Sequence, residues 1–304
     1  MCAETPRPIS AGRAWLTLFR IPNLFTVPGD PLAGVMLAAA ALEIVPAGTA
    51  LFSTLGASLA LYSAGLLAND YCDRKVDAWE RPHRPIPSGA VSEKAVLVMA
   101  IILTTAGLLL AALGGKSTLL IAFILSITSW FYNAAGKRTA WLAPVNMGLC
   151  RGLNLLLGAT VLGVPGLISR PALIAASLMT GYVALITAAA RYEAEEGDPG
   201  IPSWIPRLMP FTLTAGLLAI IQPKGLALGL ALMAVIWSSL LGYQLSRSSS
   251  PSMTQKSIGG LIRGLILIQA ALCASAGPAG QSMAILLLIL FPVSGWFGKW
   301  FYGS

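Results

Sequence analysis

Residues 68–89 read ANDYCDRKVDAWERPHRPIPSG and follow directly on the apolar run LALYSAGLL at 59–67. Asn69, Asp73 and Asp77 are spaced i, i+4, i+8, which places them on one stripe of a helix that continues past the apolar run. Carboxylates four residues apart repel by roughly a few tenths of a kcal/mol when exposed, and by more where water is scarce. A positive partner is therefore expected on the stripe. A solvated helix end in which the acids pair with Arg74, Lys75 and Arg81 would also supply one.

The end of the stretch favours a ligand. Pro82, Pro85 and Pro87 cannot continue a helix, and each pushes the residue before it toward an extended conformation. The loop is thus expected to hold a fixed shape and to present Arg81 and Arg84, whose planar forks suit bidentate recognition of phosphate oxygens. His83 between them is given no catalytic role. Magnesium dehydrates reluctantly and is usually held by one or two carboxylates plus substrate phosphates. Clustered acids beside rigidly presented arginines therefore predict a Mg²⁺–diphosphate site at a membrane surface.

The rest of the chain supplies the membrane. Of 304 residues 56% are hydrophobic and 11% charged, and the mean hydropathy is +0.76, far from the soluble norm of about a quarter charged. Apolar runs long enough to cross about 30 Å of hydrocarbon as helices recur at 22–44, 50–69, 94–114, 117–134, 143–164, 171–191, 206–222, 225–245, 258–277 and 281–300. Barrel strands would alternate over about ten residues, and runs such as LLLAALGG and MAILLLILF do not. The expected fold is an all-α polytopic membrane protein of nine to ten transmembrane helices, one domain over 1–304, with 281–300 as the possible extra helix.

The first apolar segment is interrupted by Pro22, Pro28 and Pro31 and leads into further helices, so it reads as mature protein, not as a cleaved leader. Cys2, Cys72, Cys150 and Cys273 show no paired spacing, which implies neither a disulfide framework nor a zinc site. The net charge of +8 reports topology and not nucleic acid. Arg7, Arg13 and Arg20 precede the first span. Arg74, Lys75, Arg81, Arg84 and Lys94 follow the second, Lys137 and Arg138 the fourth, Arg207 the sixth, and Arg247 and Lys256 the eighth. By the positive-inside rule these connections face the cytoplasm, across the plasma membrane if the source is bacterial.

Eight of the twelve acidic residues fall in two windows: Asp70, Asp73, Asp77 and Glu80, then Glu193, Glu195, Glu196 and Asp198. Both windows follow an even-numbered span, so both belong to one face.

NDYCDRKVD followed by RPHRPIPSG resembles the first signature of the UbiA-type intramembrane prenyltransferases. RIPNLFTVPGDPLAG, WFYNAAGKR and RGLNLLLG are similar to the same superfamily, and the likeness covers roughly residues 15–200. It implies helices around a central cavity and transfer of a prenyl group from a prenyl diphosphate to a hydrophobic acceptor, aromatic or another lipid, with aromatic expected. The resemblance further implies that Asn69, Asp73 and Asp77 hold Mg²⁺ on the diphosphate, with Asp70 beside them. Tyr132 and Lys137 would reach the diphosphate from the opposite loop, with Arg20 and Asn23 as further contacts. Lys137 and Arg138 read equally as a topology signal. Asn146, Arg151 and Asn154 are polar residues inside a span, where they are expensive and tend to be functional.

One departure stands out. The family's second motif opens with an aspartate, and here ARYEAEEGDPG places Arg191 at that position. Glu193, Glu196 and Asp198 either bind a second Mg²⁺ from shifted positions, or the second metal is lost and Arg191 neutralises an anion or pairs with Asp73 or Asp77. The loosened motif resembles an EboC-like branch and leaves open a non-catalytic carrier for a hydrophobic aromatic metabolite.

Overall fold

The computed structural model describes residues 10–194, 201–221, 225–248 and 250–301, with the side chains at 193, 194 and 299–301 outside that description. Every regular element among them is helical. The chain opens with a short helix, α1 (Ala11–Leu18), whose start is capped by Ser10. Its Ala14 and Leu18 are buried in a cluster with Leu67 and Val96. The first expected span is not one helix. It is split into α2 (Ile21–Leu24) and α3 (Gly29–Leu42), with Pro28 in the break and Pro22 and Pro31 in the first turns of the two helices, where the missing N–H costs nothing.

The helix that decides the site is α4 (Gly48–Glu80), with 33 residues. At 1.5 Å per residue it is about 50 Å long, well beyond the roughly 20 residues that hydrocarbon requires. The expected span ended at 69. The helix continues for three more turns, and those turns carry the acidic stripe.

The remaining elements are α5 (Glu93–Leu113), α6 (Lys116–Ala134), α7 (Leu142–Ala159), α8 (Gly163–Leu167), α9 (Arg170–Ala190), α10 (Trp204–Leu218), α11 (Gly225–Ser246), α12 (Pro251–Ala274) and α13 (Pro278–Phe301). Nine segments among the described residues are long and apolar enough to cross a membrane, α7 and α8 together forming one of them. The expected span 206–222 is not among them. Its helix, α10, has 15 residues and contains Pro210, too short alone for a bilayer of ordinary thickness. The segment suspected as extra, α13, does qualify.

The most enclosed helices are α3 and α12. They pack against each other, and α3 also packs against α7 and α9. Small residues permit the closest approaches: a Cβ on Gly34 would collide with the carbonyl oxygen of Leu155, and one on Gly158 with the carbonyl of Pro31. With lipid tails as apolar as the helices, such close packing is a principal source of association. Gly158→Ala is therefore expected to destabilise by about 1–3 kcal/mol through overpacking, read as a lowered thermal midpoint in detergent. An unchanged midpoint would mean that the α3–α7 contact is looser than the backbone separation implies.

Candidate active site

The acids of α4 meet cations in two sets. Asp73 Oδ1 lies 2.5 Å from Lys137 Nζ, and the same ammonium donates to Asn69 Oδ1 at 3.3 Å. Arg84 Nη1 lies 2.8 Å from Asp77 Oδ2 and 3.6 Å from Asp70 Oδ1, while Arg20 Nη2 donates to Asp70 Oδ1 at 3.1 Å. The single stripe expected of Asn69, Asp73 and Asp77 is thus divided. Asp77 stands seven residues beyond Asp70, two helical turns, and shares its side of the helix.

Each cation arrives by a distinct local device. Arg20 occupies the left-handed region, with φ 46° and ψ 55°, a placement that costs about 1–3 kcal/mol for a non-glycine residue and persists only where its surroundings enforce it. Lys137 sits in a 3₁₀ turn, Gly136–Arg138, between α6 and α7. Arg84 sits in the proline loop, which is not extended as its sequence suggests. Arg84 N–H bonds to Arg81 O, Ser88 N–H to Arg84 O and Val91 N–H to Pro85 O, so the loop curls in turns and returns Arg84 onto the helix it left. Arg81 does not share this role. Its backbone closes α4 on Asp77 O, and its side chain is exposed.

Below the acids lies a cavity of about 370 Å³. Arg20, Asn23, Asn69 and Tyr132 line its charged end; Leu61, Leu66, Leu125, Val183, Ile186 and Ile262 form apolar walls; Ser58, Tyr62, Arg151 and Asn154 line it further along α4 and α7. Arg151 is buried, and three of its five N–H groups are paired. Its Nη1 donates to Asp30 Oδ2 at 2.7 Å and Thr26 O at 3.2 Å, and its Nη2 to Thr26 Oγ1 at 2.7 Å. Asn154 donates to the same Asp30 oxygen at 3.0 Å, and Gln269 Nε2 donates to Asp30 Oδ1 at 2.6 Å. This network ties α3, α7 and α12 together around a fully buried carboxylate.

Several expectations fall elsewhere. Asn146 is buried off the cavity and accepts the Cys150 thiol at 3.8 Å. Arg138, at the end of the turn that carries Lys137, is exposed. Arg191 pairs with neither Asp73 nor Asp77: its Nη1 donates to the carbonyl oxygen of Ala140, and the two aspartates have Lys137 and Arg84. Glu196 and Asp198 lie outside the described residues, as does the Glu193 side chain. The sequence reading passed over Thr26, Asp30, Ser58, Tyr62 and Gln269. Asp30 and Gln269, polar groups isolated in apolar segments, carried the signal that could have found them.

A divalent ion fits the donor set in one respect. The oxygens of Asn69 and Asp73 already converge on a single cation, the Lys137 ammonium, and a pair of oxygens is what Mg²⁺ takes from protein when phosphate completes its shell. Among the described residues no three His, Cys, Asp or Glu side chains gather as a metal site. An ion bound here would draw its other ligands from substrate and water.

The model of the UbiA prenyltransferase family matches residues 31–257. The chain belongs to that family, and it is a prenyltransferase and an integral, multi-pass membrane protein. It is similar to the digeranylgeranylglyceryl phosphate synthase of Methanothrix thermoacetophila, 28% identical over 230 residues that cover 69% of this chain and 80% of that one. It is 31% identical to the synthase of Methanosarcina barkeri over 163 residues, 51% of this chain and 56% of the relative. For relatives such as the latter, the match spans about half of their length. The fold is shared with an apo UbiA homologue from Aeropyrum pernix, with a TM-score of 0.64 and 16% identity over 83% of this chain and 97% of that one. A UbiA homologue from Archaeoglobus fulgidus bound to GPP and Mg²⁺ gives a TM-score of 0.60 at 15% identity, over 87% of this chain and all of the other.

Arg84→Met strands Asp77, which is 5% exposed, and is expected to destabilise by about 1–3 kcal/mol. That is less than the 3–5 kcal/mol of a fully buried pair, because Arg84 is partly wet. Adding Asp77→Leu should recover most of the loss in a double-mutant cycle followed by thermal unfolding. Additive losses would show that the pair is not coupled.

Proposed function

We propose that the protein transfers a prenyl group from a prenyl diphosphate to a hydrophobic acceptor, with Mg²⁺, at the cytoplasmic mouth of its cavity. The observation that carries this reading is the meeting of Asn69 and Asp73 around one cation directly above an apolar-walled cavity. Asn69 and Asp73 would hold the ion, with Asp70 and Asp77 on the adjoining side. Bound there, Mg²⁺ supplies Lewis-acid stabilisation of the diphosphate as negative charge develops on it.

This chain's own residues do the rest. Lys137 gives up its place on Asp73 and donates to a diphosphate oxygen, while Arg20 at the same end of the cavity adds a second donor. Charge-assisted donors of this kind, aimed at a leaving group in a water-poor site, are worth about a hundredfold or more in rate each. Leu61, Leu66, Leu125, Val183 and Ile186 line the path of the prenyl chain and keep water from the allylic carbon as its C–O bond breaks. The acceptor then attacks that carbon and loses a proton.

The relatives' names point to an acceptor that ends in glyceryl phosphate, whereas an aromatic acceptor is the sequence-based expectation. Both classes belong in the assay. Arg191, placed against Ala140, supports no role in neutralising the first motif, and Glu193, Glu196 and Asp198 remain the candidates for a second ion.

Purified protein in nanodiscs with radiolabelled geranyl diphosphate is expected to prenylate one acceptor class only when Mg²⁺ is present. Asp73→Asn and Lys137→Met should each lower the rate about a hundredfold. Acceptor binding without turnover, unchanged by EDTA and by Asp73→Asn, would instead identify a carrier built on the same fold.

A further inference from the structure

The lower part of the cavity is chemically unlike its mouth. Tyr62 and Ser58 follow Asn69 down α4 by seven and eleven residues, about 10 and 16 Å along the helix axis. At that depth a prenyl chain would want hydrocarbon, yet Ser58, Tyr62, Arg151 and Asn154 all line the wall. An isoprenoid tail laid against them would leave polar groups without partners, which costs about 1–3 kcal/mol for each one stranded.

The charge of this region is balanced. Arg151 carries one positive charge, and Asp30, fully buried at 2.7 Å, cancels it. An anion brought beside Arg151 would therefore also meet the Asp30 carboxylate. The hydrogen-bonding capacity is not exhausted. A guanidinium has five N–H groups, and three are engaged by Thr26 O, Thr26 Oγ1 and Asp30 Oδ2. The Nε–H and one Nη2–H remain, on a side chain that lines the cavity with its guanidinium 5.4 Å from the centre of the Tyr62 ring. On the cavity wall, Asn154 Oδ1 already receives the Ser58 hydroxyl at 2.7 Å. The region thus offers donors held rigidly in place by a neutral network, next to an aromatic face.

We propose that this part of the cavity binds an uncharged oxygen of the acceptor, a carbonyl or a hydroxyl on a flat or hydrophobic body, through the two remaining N–H groups of Arg151. Asp30 fixes the guanidinium and cancels its charge, and Gln269 holds Asp30 in place, so both act as positioning residues. The assignment rests on the prenyl-transfer reading for the word acceptor, but the site itself is defined by its own network. It selects against a carboxylate or phosphate at this depth and leaves such charges to the mouth, where Arg20, Arg84 and Lys137 gather.

The test uses the full chain in nanodiscs and two probes of the same shape, 2-naphthol and 2-naphthoate, with Mg²⁺ and geranyl thiodiphosphate present or absent. The naphthol should bind at least about tenfold more tightly than the naphthoate at neutral pH. Arg151→Lys, which keeps a cation for Asp30 but loses the fork, and the neutral double variant Asp30→Asn with Arg151→Gln should each weaken naphthol binding about tenfold. Binding of geranyl thiodiphosphate should shift less than about twofold in both, which also shows that the variants are folded. Equal or tighter binding of the naphthoate, insensitivity of naphthol to both variants, or no binding of either probe would overturn the proposal. Loss of geranyl thiodiphosphate binding in the unmodified protein, with Arg151-dependent naphthol binding intact, would instead remove the donor reading and leave this site standing.

Discussion

A carboxylate at the edge of a bilayer must be met by a cation, and α4 carries three within eight residues. Much of the architecture at that end of the molecule serves this requirement. The helix runs past the hydrocarbon to carry the acids, the proline loop folds back to return Arg84, the turn after α6 brings Lys137, and the backbone at residue 20 accepts a left-handed conformation that sets Arg20 on Asp70. Two aspartates of this group are almost buried, so the pairs are screened less than surface ion pairs. The same cations are the donors a diphosphate needs. A ligand that brings its own divalent ion can replace them on the carboxylates and take them for itself without leaving any charge bare.

The cavity is divided by chemistry. Charge is gathered at the mouth, and further in apolar side chains such as Leu61 and Leu125 share the wall with a neutral polar network around Asp30. Each zone matches what low dielectric permits: mobile charges where water and ions can reach, hydrocarbon where an allylic cation must be kept dry, and hydrogen-bonding groups only where their charges cancel. The closeness of α3 and α7, enforced by glycines at 34 and 158, is what allows Thr26, Asp30, Arg151 and Asn154 to share one site.

The sequence disclosed the helical class, the acidic helix end and most of the residues at the mouth, because hydropathy and i, i+4 spacing act locally. Lys137, which the resemblance sets opposite the acids, lies against Asp73, and Arg20 and Tyr132 line the cavity. The division of the stripe was not legible: spacing puts Asp77 in line with Asp73, but Arg84 decides which way it turns, and the route of the proline loop is set by backbone hydrogen bonds that no local rule gives. Asp30 and Gln269 escaped notice for a similar reason. They are 239 residues apart in sequence, and only helix packing makes them one network with Arg151. The short α10 was read as a full span because apolar composition continues past Leu218, where the helix ends.

The most direct measurement is an experimental structure in nanodiscs with Mg²⁺ and geranyl thiodiphosphate. The account predicts an ion ligated by Asn69 and Asp73, with Lys137 Nζ moved from Asp73 onto a diphosphate oxygen and the geranyl chain inside the apolar walls. Lys137 still on Asp73, with the diphosphate bound away from α4, would contradict it.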